Sequence, residues 1–198
     1  MKRLSFFVAV IFLFSALPVY AETFDAARLV SAAEQQVGVT VHYDGAYRRM
    51  PYPNGDVPPE TGVCSDVVIR AYRALGIDLQ QRVHEDMKAH FVLYPKTWGL
   101  TKPDTNIDHR RVPNLQVFFK RRGQSLPVSN RAADYLPGDM VTWNLAAPAK
   151  MIPHIGIVSA SRSADGARLL IVHNIGSGTK VEDILFEYKI TGHYRYAP

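Results

Sequence analysis

The chain has a single cysteine, Cys64, standing where the turn-rich segment GDVPPETGV runs into CSDVVIRAYRALG. A lone thiol cannot close an intrachain disulfide. At the start of a helix, backbone N–H groups and the helix dipole favour its ionised, nucleophilic form. A cysteine nucleophile also needs a base and a group that orients that base. Two histidines have strand-like settings: His154 heads the apolar run of MIPHIGIVSA, and His173 ends that of LLIVHNIGSG, with Asn174 beside it as an alternative orienting group. His42, His84, His90, His109 and His193 have no comparable setting and read as surface or packing residues. Asp66, two residues after the thiol, suits the positive end of a helix. It opposes thiolate formation unless it points away or pairs with an arginine.

Helices and strands must bring these residues together. Apolar periodicity predicts a helix over Phe24–Val37, closed by Gly38, and a second over Cys64–Leu75, with Val67, Val68, Ala71, Tyr72 and Leu75 on its buried face and Gly76 as its stop. A third helix is expected over Gln81–Phe91 and a fourth over Leu115–Arg121, after Pro113. The stretch from Tyr43 to Gly62 reads as irregular. Strand-like runs follow at Met140–Trp143, Ile155–Ala160, Leu169–His173, Ile184–Tyr188 and Ile190–Tyr196. Asp165 and Gly166 predict a hairpin between the second and third of these, which sets the head of one strand beside the end of the next and makes His154 and His173 neighbours. Helices followed by antiparallel strands make an α+β domain.

The compartment decides what a free thiol means. Residues 1–21 carry a basic start (Lys2, Arg3), an apolar core from Phe6 to Leu17 and a small-residue ending at Ala21, the pattern of a cleaved secretory signal peptide. That apolar core is shorter than the roughly 20 residues of a membrane-spanning helix. The expected mature chain, 22–198, is a single domain in the periplasm or outside the cell, with no integral membrane segment. Its formal charge falls from +5 to about +3 once Lys2 and Arg3 are removed. A mild basic bias without a stacking platform does not read as nucleic-acid binding. A composition of 47% hydrophobic and 21% charged residues is that of a soluble globular protein, and a monomer is expected.

Four segments taken in order, GVCSDVVIRAYRALG, LPGDMVTW, PHIGIV and IVHNIG, resemble the NlpC-type branch of papain-like cysteine peptidases, largely bacterial cell-wall amidases and endopeptidases. PDTNIDHRRVPNLQVFF is similar to a less characterised family of exported bacterial proteins in the same clan. The resemblance implies a papain-like fold with N-terminal helices packed on a C-terminal antiparallel sheet. It also implies Cys64 as nucleophile, His154 as general base and His173 as the residue orienting it. Tyr52 falls at the position of a tyrosine that helps the oxyanion hole, together with a backbone N–H near the helix start, at Ser65. The implied substrate is peptidoglycan or another peptide, cleaved without a cofactor. This chain reads Val63, Cys64, Ser65, Asp66 where the prototype reads AspCysSerGly, and Pro53, Asn54, Gly55 where the prototype's tyrosine is followed by GlyGly.

Other readings of the same residues stay open at this point. Cys64 can be a small buried apolar residue, His173 a strand-end histidine, and one cysteine with two histidines a zinc set. The cleft can also serve as an exported peptide- or glycan-binding module. In DTNIDHRRVPNL, Arg110 or Arg111 suits a substrate carboxylate, with Asp66 as a further substrate contact; a buried Asp–Arg bridge is the structural alternative.

Overall fold

A computed structural model describes residues 24–198, so the expected signal peptide at 1–21 lies outside the described residues. Helix α1 (Ala26–Glu34) is capped by Asp25, whose carboxylate accepts the Ala27 and Arg28 N–H groups, and it buries Leu29, Val30 and Ala33. Its last turn is looser than the periodicity predicts. The two shortest strands follow: β1 (His42–Tyr43) pairs in parallel with β2 (Thr61–Gly62). They stand at the two ends of the stretch expected to be irregular. Helix α2 (Cys64–Ala74) starts at the cysteine and is closed by Gly76, whose φ of +77° is the left-handed conformation glycine adopts without strain. Helix α3 (Leu79–His90) begins two residues earlier than expected because Asp78 caps it, taking the Gln80 N–H at 2.9 Å. Helix α4 (Val112–Arg122) carries Pro113 in its first turn, where a missing N–H costs nothing.

The second half forms one sheet from β3 (Gln124–Leu126), β4 (Met140–Asn144), β5 (Pro153–Arg162), β6 (Leu169–Asn174), β7 (Thr179–Glu182) and β8 (Lys189–Arg195), in the spatial order β3-β8-β4-β5-β6-β7. Every neighbouring pair is antiparallel. The molecule is therefore a mixed α+β domain with its helices ahead of its sheet. The β5–β6 hairpin turns at Asp165 and Gly166 as expected, with Gly166 at φ +69°.

Ile184–Tyr188 is not a strand. It is a run of turns whose Ile184 and Leu185 are buried against Trp143, and the Leu185 carbonyl accepts the Trp143 indole N–H at 3.0 Å. Ile184 and Leu185 are buried by tucking beneath the sheet, so the run has no need of a pairing partner. The sheet uses the polar TKVE of β7 at that edge instead.

Both sheet faces are covered. On one face, Met140, Ile155, Ile157, Val172 and Tyr194 pack with α1, α2, α3 and α4 around Val67, Val68, Tyr72 and Phe119. On the other, Tyr135, Val141, Trp143, Val158, Ile171, Ile184 and Leu185 form a second, smaller cluster. On β5, Ile155 packs toward α2, and His154 stands beside Trp143, its cross-strand partner.

Candidate active site

The local register brings the two histidines together. Ile157 pairs with Val172 and Val158 with Ile171, so Gly156 falls opposite His173, and His154 sits diagonally from it on the same face. His154 Nε2 lies 3.0 Å from His173 Nδ1, a hydrogen bond between two imidazoles set nearly perpendicular at 85°. Gly156 makes this approach fit. A Cβ there would stand 2.5 Å from Ile171 Cγ2 and 3.2 Å from His173 Cβ.

Cys64 reaches the same strand from the helix face. The Ile155 N–H, with the Ser65 and Cys64 N–H groups at the helix start, favours its thiolate, and Ile155 and Cys64 share one core cluster. The thiol is thus tied to the residue next to His154, and α2 packs across β5 and β6. No hydrogen bond links the sulfur to the His154 ring among the described residues, and none uses His154 Nδ1.

The resting site is dry and uncharged. Cys64 is 4% exposed and His154 2%. Burial, with the nearby Asp66 charge adding to it, pushes the thiol up to about 12 against the helix-start N–H groups. The dipole argument from sequence expects a lowered value. Desolvation outweighs the dipole here. His154 is held down at about 3, by burial first and by His173 second. His173 is also lowered by burial, against the pull of Glu182. The site at rest is therefore a neutral thiol beside neutral imidazoles, not a preformed ion pair.

Asp66 answers the question its position raises. Both Asp66 and Arg110 are buried, with side chains 4% and 2% exposed, and they pair at 2.9 Å. Arg110 Nε also donates to Asp66 Oδ1 at 2.9 Å, and its remaining N–H groups go to the Asp44 and Ala46 carbonyls. Asp66 Oδ2 accepts the Val63 N–H at 2.7 Å, capping α2, and Ser65 Oγ donates to the Arg110 carbonyl at 2.7 Å. The expectation that Asp66 and Arg110 contact substrate is corrected: both are spent on each other and on the backbone, fastening the loop before α4 to the nucleophile helix. Arg111 is separate from this bridge, stacked 4.1 Å from the Trp98 ring centre and 3.3 Å from Asp108.

Two further positions differ from expectation. Tyr52 is 41% exposed and lies edge-on to His84 at 5.1 Å, with Glu85 and Asp78 as its charged neighbours. Tyr43 is the tyrosine beside the cysteine. Although 46% of the residue is exposed, its hydroxyl end turns inward, where burial, Cys64 and Asp66 raise it to about 12 and Arg110 opposes them. It is held there because β1 pairs Tyr43 with Gly62, two residues before the thiol. The sequence signal is the Asp-Gly that follows Tyr43, nearer to the prototype's GlyGly than the Pro53 that follows Tyr52.

Asn174 also has a different occupation: its Nδ2 donates to the Gly62 carbonyl at 3.1 Å, tying the end of β6 to β2, while its Oδ1 accepts the Gly176 N–H. His173, not Asn174, touches His154. Behind His173 stands Glu182, which no sequence pattern marks, with Oε2 2.9 Å from His173 Nε2. As a zinc set, Cys64, His154 and His173 are poorly arranged, because the imidazoles aim nitrogens at each other. Among the described residues, no group of three His, Cys, Asp or Glu stands close enough to hold a metal ion.

The model of a domain of unknown function, DUF1287, matches residues 30–196 of the chain, which is nearly all that the structure describes. The chain belongs to the DUF1287 family. A relative of this chain is the uncharacterized protein YijF of Escherichia coli (strain K12), 51% identical over 168 residues, which are 85% of this chain and 80% of that protein. Two solved structures overlap this DUF1287 chain. NlpC1 from Trichomonas vaginalis does so at a TM-score of 0.49 and 18% identity, over 91% of this chain and 47% of its own. NlpC2 from Trichomonas vaginalis does so at 0.48 and 16%, over 92% and 51%. The DUF1287 chain spans about half the length of each.

Proposed function

We propose that this protein is an exported cysteine hydrolase that cleaves amide bonds through an acyl-enzyme, with the stem peptides of peptidoglycan as its substrate class. The observation that carries the reading is the His154–His173 hydrogen bond at 3.0 Å, which leaves His154 Nδ1 unspent next to Ile155, the strand residue that shares a core cluster with Cys64.

In the proposed reaction His154 Nδ1 takes the thiol proton as Cys64 Sγ bonds to the substrate carbonyl carbon. The developing oxyanion is met by the Ser65 or Cys64 N–H at the helix start, with the Tyr43 hydroxyl as a further donor; such donors are worth about 2.7–4 kcal/mol each in acyl transfer. Collapse breaks the C–N bond, and the His154 imidazolium protonates the departing amine. Water then attacks the thioester, giving its proton to His154, and the C–S bond breaks to restore the thiol. A neutral resting pair fits this sequence, because the proton moves as the substrate is attacked.

The test is digestion of purified peptidoglycan by the mature protein beside Cys64→Ala. Stem-peptide fragments released by the wild type alone support the reading; no release by either sinks the cell-wall substrate. The burial of Cys64 and its thiol raised to about 12 favour one rival, a binding module that keeps the fold without the chemistry. Equal peptidoglycan affinity of wild type and Cys64→Ala, with no turnover by either, identifies that rival.

A further inference from the structure

We infer that Glu182 is a positioning residue that fixes, through His173, which nitrogen of His154 serves as the base. This deepens the hydrolase reading and rests on it for its catalytic meaning, though not for its geometry. The three side chains step across three adjacent strands on one face: His154 on β5, His173 on β6 and Glu182 on β7. The register that pairs Ile171 with Glu182 sets the carboxylate diagonally from His173, as His154 is on the other side.

Counting protons along this line leaves one arrangement. A neutral imidazole has one N–H and one lone pair, and a carboxylate only accepts. Glu182 at 2.9 Å therefore draws the His173 proton to Nε2. His173 Nδ1 is then a lone pair, and it accepts from His154 Nε2 at 3.0 Å. That puts the His154 proton on Nε2 and its lone pair on Nδ1, the nitrogen no other group uses. Without an acceptor at Glu182 the opposite pair of tautomers is equally well bonded at the His154–His173 contact, and it leaves His154 Nδ1 protonated and useless as a base.

The surroundings leave the assignment to Glu182. His173 is fully buried, and its Nε2 has no well-formed hydrogen bond because the Glu182 oxygen, though close, is out of line. Glu182 is 37% exposed, so it has room to rotate into line. The other charges near His173 are Lys180, on the opposing position of β7, and Glu187 in the following turn. His154 is faced by Trp143 from β4, which offers its ring no acceptor.

The direct measurement is the ¹⁵N–¹H correlation spectrum of the histidine side chains in the mature protein at neutral pH. The expected wild-type result is a proton on Nε2 of both His154 and His173. Glu182→Ala should mix or reverse both tautomers and lower kcat for peptidoglycan cleavage by about 100-fold, within the range general-base catalysis supplies, with KM little changed. Glu182→Gln keeps an acceptor oxygen and should retain the tautomers. A wild-type proton on His173 Nδ1, or tautomers unchanged in Glu182→Ala, overturns the inference. The two readings fail separately. Tautomers that shift in Glu182→Ala without cleavage by any variant sink the hydrolase and leave the relay, while cleavage with unmoved tautomers does the reverse.

Discussion

Two histidine–carboxylate pairs occupy the same sheet and do opposite things with their protons. His193 on β8 has Nε2 2.8 Å from Asp139 Oδ2 and Nδ1 3.3 Å from the Pro127 carbonyl, and Tyr135 stacks on its ring at 4.3 Å. Asp139 is fully buried and also accepts Arg195 at 2.7 Å and the Leu136 N–H at 3.0 Å. Both ring nitrogens face oxygen acceptors that cannot exchange roles with them. That pair is a clamp, fastening β3, β8 and β4 to the loop over the second core. His173 instead faces a half-exposed carboxylate on one side and a second imidazole on the other. Only that carboxylate distinguishes its two proton arrangements, and the line ends in an unspent nitrogen. Buried His–carboxylate pairs thus divide by what lies on the far side of the ring: a fixed acceptor makes structure, and another titratable ring makes a path.

The largest expected effect falls on the clamp. Asp139→Ala leaves His193 and Arg195 without their carboxylate and should cost about 3–5 kcal/mol of stability, as removal of one partner from a buried pair does. Urea denaturation measures it. A loss no greater than that of Glu182→Ala would erase the distinction between the two pairs.

Gly156→Ala strikes the path while leaving the clamp alone. The added methyl meets Ile171 Cγ2 at 2.5 Å, the Val172 carbonyl at 2.9 Å and His173 Cβ at 3.2 Å. Overpacking of this kind costs about 1–3 kcal/mol. The displacement should separate His173 from His154, so cleavage should fall further than stability. A variant that loses stability and keeps full activity would show that the imidazole contact is dispensable.

Acid separates the regions through their proton balance. His154 and His109 are both held near 3, by burial first, with His173 adding to the effect at His154 and Arg110 at His109. In the unfolded chain they bind protons near 6.5, so between about pH 6.5 and 3 the unfolded state holds more protons than the folded state. Their contribution to stability is complete above about pH 6.5 and is lost as the pH falls toward 3. The slope is about 1.4 kcal/mol per pH unit for each histidine. Urea midpoints between pH 7 and 4.5 check it, and His154→Asn should lower the slope by about one proton. An unchanged slope in that variant contradicts the neutral resting state of the site.

Much of this was legible before the fold was known, and the misses share a cause. The cysteine helix announces itself by its apolar stripe and Gly76, and the Asp165–Gly166 turn pairs the strands that carry His154 and His173, although a shift between Val158 and Arg162 sets their final register. These are local signals. Tyr43 reaches Cys64 through a two-residue parallel pairing across the irregular chain between β1 and β2, which neither spacing nor propensity reveals. Glu182 belongs to a short edge strand with too few apolar residues to show a period of two. Ile184–Tyr188 has the apolar content of a strand but buries Ile184 and Leu185 against Trp143 by turning. The dipole at the start of α2 is readable from sequence, whereas the burial that overrides it at Cys64 depends on everything packed around it.

The smallest expected effect is the most discriminating. Glu182→Gln preserves shape and an acceptor oxygen and removes one charge from a side chain that is 37% exposed. A pair of that exposure contributes no more than about 1 kcal/mol, so the urea midpoint should scarcely move. The charge matters only when His154 carries the extra proton, because then the carboxylate stabilises a cation two rings away. The Gln variant should therefore keep the wild-type tautomers and KM while kcat falls, and the fall should shrink as ionic strength rises and screens the wild-type carboxylate. Had Glu182 been a clamp like Asp139, the same substitution would lower stability and leave kcat unchanged. The ratio of the two losses, measured on one protein, decides which kind of pair His173 and Glu182 form.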